Sequence, residues 1–145
     1  MEESIKYLKE QFALSEIDIR TYSPLVLAYI GDGIYELMVR TVLVGQGNRQ
    51  ASTLHKKASS YVKASTQSAM ILAVQEELTE EEHQVYKRGR NAKTVTMAKH
   101  ASMHDYRHAT GFEALMGYLY LEGRMGRLLE LVKLGLEEEP CDMKN

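Results

Sequence analysis

The feature that most narrows the fold is the lack of any strand signal between the chain's two prolines, Pro24 and Pro140. Almost nothing in that stretch alternates with period two, so the chain is expected to be helical throughout, an all-α helical bundle. Ser23 before Pro24 is a helix start, with a capping side chain followed by proline where its missing N–H costs nothing. Segment 25–44 is apolar on most faces and should form a buried central helix, ended by Gly45 and Gly47. A second helix is expected over 51–77, with Leu54, Ala58, Tyr61, Val62, Ala69, Leu72 and Ala73 facing inward. Thr79 with Glu82 has the capping-box pattern and opens a third helix over 80–90. Residues 92–103 read as a connection, Asp105 as the cap of a fourth helix ending at Leu121, and 125–136 as a last helix with Leu128, Leu129, Val132 and Leu136 on one face.

A length of 145 residues suits one domain over 1–145, and 44% hydrophobic with 26% charged residues excludes a disordered chain. The single cysteine, Cys141, lies in a polar tail, so neither a disulfide framework nor a cysteine zinc site can be built, and a reducing, cytoplasmic setting is expected. The run Met1-Glu2-Glu3-Ser4-Ile5-Lys6 has no apolar core, so neither export nor a membrane span is expected.

The net charge of −2 hides a segregated distribution. Residues 37–75 contain no acid but hold Arg40, Arg49, Lys56, Lys57 and Lys63; residues 83–104 again lack acids and hold Lys87, Arg88, Arg90, Lys93 and Lys99. Two readings stand: a phosphate-binding face on an otherwise acidic body, or an ordinary solvated surface.

Two carboxylates are out of place. Asp32 lies in Tyr29-Ile30-Gly31-Asp32-Gly33-Ile34-Tyr35-Glu36-Leu37, within a helix otherwise suited to a core, with Glu36 one turn on. Gly31 and Gly33 each cost about 1 kcal/mol in a helix interior, which close approach of another backbone would explain. Glu113 sits similarly in Thr110-Gly111-Phe112-Glu113-Ala114-Leu115-Met116-Gly117. If the glycine faces cross, the two acids converge, and paired carboxylates call for a hard divalent cation such as magnesium or manganese. The alternative is that each acid accepts hydrogen bonds from Tyr29, Tyr118 or a basic side chain.

The segment around Asp32 resembles the signature helix of the ribonuclease III catalytic domain, and that around Glu113 resembles its second catalytic helix. Leu54-His55-Lys56-Lys57-Ala58-Ser59-Ser60-Tyr61-Val62-Lys63 resembles the helix between them. The forms Tyr86-Lys87-Arg88-Gly89-Arg90-Asn91-Ala92-Lys93 and Tyr106-Arg107-His108-Ala109-Thr110-Gly111-Phe112-Glu113-Ala114-Leu115 are similar to the Mini-ribonuclease III subfamily of bacteria. The resemblance spans 22–136 and implies a two-fold homodimer that cuts double-stranded RNA with Mg2+, Mn2+ substituting, to leave 5′-phosphate and 3′-hydroxyl ends. It makes Asp32 and Glu113 the catalytic and metal-binding acids. It also implies trimming of 23S (large-subunit) ribosomal RNA precursor ends. Two positions depart from the pattern: Ala28 and Thr110 stand where the family usually has acids, so Glu36, Thr110 and Asp105 are secondary site candidates.

Candidates for RNA contact are Lys56, Lys57, Lys63, Arg88, Arg90, Asn91 and Lys93, with Asn91 either reaching a 2′-hydroxyl or shaping its turn. No double-stranded-RNA-binding domain is expected within the chain, which leaves substrate choice to the catalytic domain or to a ribosomal helper protein. His100, His104 and His108 recur every fourth residue but lack a further zinc ligand and read as a solvated or RNA-facing stripe. The rival readings are a non-catalytic RNA-binding module and a helical regulatory protein.

Overall fold

The computed structural model describes residues 2–93 and 102–137, and among these it contains helices and turns but no strand. The helices are α1 (Glu2–Gln11), α2 (Pro24–Gly45), α3 (Ala51–Val62), α4 (Ala64–Ala73), α5 (Glu80–Arg90), α6 (Met103–Leu121) and α7 (Met125–Glu137). The all-α expectation therefore holds. Helix α6 lies at the centre, packed against α2, α5 and α4, with α7 and α3 completing the bundle. No helix among the described residues is long and apolar enough to cross a membrane.

Local chemistry sets most boundaries. The Ser23 hydroxyl accepts from the Val26 N–H at 3.2 Å with Pro24 in the first turn. The capping box of α5 forms in both directions, Thr79 N–H to Glu82 Oε1 at 2.9 Å and Glu82 N–H to Thr79 Oγ1 at 3.1 Å. Gly123, with φ of +73°, turns the chain out of α6 as an αL residue must. The cap of α6 is Ser102, not Asp105: its hydroxyl accepts the Asp105 N–H at 3.0 Å, and Asp105 lies in the first turn, where a negative charge suits the helix dipole.

The expected helix over 51–77 is two helices and a 3-10 turn, Gln75–Glu77. Lys63 is extended (φ −67°, ψ 153°), and the break shifts the phase of α4 relative to α3. Ala58 and Tyr61 face the core from α3, but from α4 the buried residues are Gln67, Ser68, Met70 and Ile71, while Leu72 and Ala73 are exposed. Polar side chains hold this corner: Gln67 Nε2 donates to the Val62 carbonyl at 2.7 Å and Thr66 Oγ1 to that of Ser60 at 2.6 Å. They satisfy acceptors that a continuous helix would have paired itself.

Three further differences are physical. Helix α1 forms where none was expected, and none of its residues is buried. In α7, Leu128, Val132 and Leu136 are buried with Leu131, whereas Leu129 is exposed. Glu82 is 0% exposed and bonds Arg127 through Nε and Nη2, both at 2.8 Å, with Arg124 at 3.7 Å. Arg127, with desolvation opposing it, holds this carboxyl below its ordinary range and ties α5 to α7.

Helix α2 is central but not buried all round: Leu25, Val26, Tyr29, Leu37 and Val44 are exposed. Its other face meets α6 backbone to backbone. A Cβ at Gly31 would overlap the Glu113 carbonyl oxygen, and one at Gly117 would overlap that of Leu27. Only glycine permits this crossing. Gly33 is different, with nothing within 4 Å of its Cβ position, so close packing within the chain does not account for it.

Candidate active site

The crossing of α2 and α6 builds the site. The backbone of Glu113 rests on Gly31, and the next residue along α2 is Asp32, so the two carboxyl groups come into hydrogen-bonding contact. Burial, with Asp32 adding to it, pushes the Glu113 carboxyl up to about 9. Asp32 is at the exposed rim, contrary to the expectation that it is buried, because α2 turns this side to solvent. The desolvation falls on Glu113 instead. Among the described residues no tyrosine and no basic side chain bonds to either carboxyl, so the pair lacks a protein counter-charge.

The other candidates are engaged elsewhere. Glu36 accepts from Arg40 Nη2 at 2.9 Å. Thr110 is buried and donates to the Tyr106 carbonyl at 2.9 Å. Asp105 accepts from the buried Ser68 and lies 3.5 Å from His104 Nδ1, two helical turns and about 12 Å along α6 from Glu113. Among the described residues no group of three or more histidine, cysteine or acidic side chains is arranged to hold a metal. Two oxygen donors without a counter-charge nevertheless suit magnesium, which is commonly bound through one or two carboxylates and keeps several waters.

Lys56 and Lys57 are on α3, Lys63 is at the α3–α4 corner, Arg88 and Arg90 are on α5, and Asn91 and Lys93 come after it; all but Lys57 and Arg90 are exposed. Arg90 is fixed, with its guanidinium 5.5 Å from the Tyr86 ring centroid and Nε donating to Asn91 Oδ1 at 3.2 Å. The backbone N–H of Asn91 caps α5 on the Lys87 carbonyl. Sequence reasoning missed the aromatic row beside this group. The His83, Tyr86 and His108 rings lie in near-parallel planes with successive centroids 6.0 Å apart, and the Tyr86 hydroxyl pairs edge to edge with His108 Nδ1. Burial, with the neighbouring His104 and Arg90 charges, holds the His108 imidazole below its ordinary value. The signal available was Tyr86 and His108 at matching positions on helices that the fold makes adjacent. His100 and Cys141 lie outside the described residues.

A ribonuclease III domain model matches residues 25–124, spanning both carboxylates and the helices that carry them. The chain belongs to the ribonuclease III family. Among curated relatives of this ribonuclease III domain, the Mini-ribonuclease 3 of Clostridium tetani is 48% identical over 88% of this chain and 84% of its own length. That of Thermoanaerobacter sp. is 42% identical over 94% and 97%, and that of Enterococcus faecalis 49% over 79% and 89%. A crystal structure of a Fusobacterium nucleatum protein superposes with a TM-score of 0.76 at 31% identity, covering 86% of this chain and 99% of that one. As a ribonuclease III family member the chain is an endoribonuclease.

Proposed function

We propose that this ribonuclease III domain cuts double-stranded RNA using magnesium held by Asp32 and Glu113, with manganese able to substitute. The observation that carries the reading is the meeting of these carboxyls across the Gly31–Gly117 crossing without a basic partner. A cation bound there supplies Lewis-acid polarisation of the scissile phosphodiester. Asp32, at the rim, faces the incoming RNA backbone. Glu113, held protonated at neutral pH by its surroundings, releases that proton on ligation. Ala28 and Thr110 supply no carboxylate, so the donor set of Asp32 and Glu113 would fit one ion better than two. Hydrolysis leaves 5′-phosphate and 3′-hydroxyl ends. Lys56, Lys57, Lys63, Arg88, Arg90, Asn91 and Lys93 contact phosphates and 2′-hydroxyls, the groups through which A-form helices are recognised.

One acidic pair per chain cuts one strand, so cutting both calls for a two-fold dimer. The exposed apolar face of α2 supports this, with Tyr29 81% exposed beside Leu25, Val26 and Leu37, and open space over Gly33. The biological reading is maturation of 23S ribosomal RNA precursor ends in the cytoplasm, with a ribosomal helper protein where the domain alone does not choose its duplex. The decisive experiment is Asp32→Asn, which should abolish magnesium-dependent cutting of a duplex while leaving thermal stability and duplex affinity within twofold. Undiminished cutting by that variant would refute the site, and mapping new ends on total precursor RNA tests the substrate.

A further inference from the structure

The end of α5 and the first half of α6 converge in space. Residues 89–93, the last residues of α5 and those just after it, and Tyr106, Arg107 and Thr110 of α6 line one cavity of about 400 Å³, with Met103 as the remaining wall. A second cavity of about 400 Å³, lined by His104 and His108, shares Arg90, Asn91, Met103 and Arg107 with it. Among the described residues no carboxylate lines either cavity, and Arg107 and Lys93 form no ion pair.

Position relates this cavity to the cut. Met103, Tyr106, Arg107 and Thr110 succeed one another at helical spacing, and the same stripe of α6 continues to Glu113 one turn beyond Thr110. Tyr106 and Glu113 are thus about 10 Å apart along the axis, roughly three to four base steps of a nucleic-acid strand. Size and lining identify the guest. The volume falls within the roughly 300–1,000 Å³ of small-ligand pockets, more than a phosphate alone requires. An aromatic ring, an amide, a thioether and several cations in one concavity are the parts that take an unstacked base and its flanking phosphates. Because Asn91 Oδ1 already accepts from Arg90, its amide N–H groups are turned to other acceptors.

We propose that this cavity receives a single unpaired nucleotide of the RNA, extruded from the duplex about three to four base steps from the cut. Tyr106 stacks on the base, Asn91 donates to its edge, and Arg107 and Lys93 hold the neighbouring phosphates. This deepens the reading of the chain as a duplex-cutting enzyme and rests on it. Substrates carrying a bulge or mismatch at one defined distance from the scissile bond are then preferred over fully paired ones, because such a base is already partly unstacked.

The test uses one duplex sequence, either fully paired or with a single bulged 2-aminopurine placed in turn at each of the positions flanking the cut. Wild type, Tyr106→Leu and Arg107→Gln are compared by kcat/KM and by 2-aminopurine fluorescence. At one bulge position the wild type should cut roughly tenfold faster than on the paired duplex, with the fluorescence quenched by stacking. Tyr106→Leu should bring that ratio near one and abolish the quenching; Arg107→Gln, an exposed change that spares the core, should lower the ratio at least severalfold. Cutting of the paired duplex with no preferred bulge position, or a preference that survives both variants, overturns the proposal and leaves the enzyme reading standing. Failure to cut any duplex overturns both.

Discussion

Glu113→Gln should make the metal-free protein more stable while abolishing its activity, and the structure gives the size of the effect. Glu113 ordinarily titrates at 4.5 and in the fold at about 9, so between these values the native state keeps a proton that the unfolded chain has released. The unfolded state then binds fewer protons, and stability falls as pH rises from 4.5 towards 9. At pH 8 the separation from 4.5 is 3.5 units, a ceiling of about 5 kcal/mol at about 1.4 kcal/mol per unit. Water at the exposed Asp32 rim relaxes around the charge and reduces this to roughly half. Glutamine keeps the shape, donates to Asp32 and carries no charge. The metal-free variant should therefore melt about 5–10 °C above wild type at pH 8 and within a degree or two of it at pH 5. Magnesium should raise the wild-type Tm more at pH 8 than at pH 6, since ligation displaces a proton, and should leave the variant unmoved. Scanning calorimetry from pH 5 to 9, with and without magnesium, reads all of this. Parallel pH profiles for the two proteins, or a variant less stable at pH 8, would refute the assignment of the cost to Glu113.

Three other outcomes rest on the same geometry. Gly117→Ala places a Cβ on the Leu27 carbonyl, a backbone clash no rotamer relieves, and should cost about 3 kcal/mol or more in urea melts, whereas Gly126→Ala, with open space around it, should cost nothing. Charge reversal at Arg88 and Arg90 should weaken duplex binding and lower the slope of log K against log salt by about 1–2, measured by anisotropy; an unchanged slope would remove them from the contact set. Tyr29→Asp should convert a dimer to a monomer in sedimentation velocity and turn double-strand cuts into nicks or no cuts, and a dimer that persists would exclude the α2 face as the interface.

What the sequence made legible was whatever depends on neighbours along the chain. The Ser23 cap, the Thr79 capping box and the end of α6 at Gly123 are satisfied within a few residues, so their signals are local and agree with the structure. The pairing of Asp32 with Glu113 was legible only through glycines, because a helix interior tolerates Gly31 and Gly117 at a cost that close packing repays. Periodicity failed where one residue broke it: extended Lys63 reset the phase of α4 and sent Leu72 outward.

The sequence by itself determined that the chain is helical, where most helices begin and end, and which two acids are out of place. Only the tertiary structure decided which of those acids bears the desolvation, that Glu82 is buried against Arg127, and that residues 89–93 share a cavity with Tyr106 and Arg107. The physical reason is that solvation and electrostatic cost depend on what lies across a contact. The carbonyl that presses on Gly31 belongs to a residue more than eighty positions away, and no local pattern encodes which helix face it will shield from water.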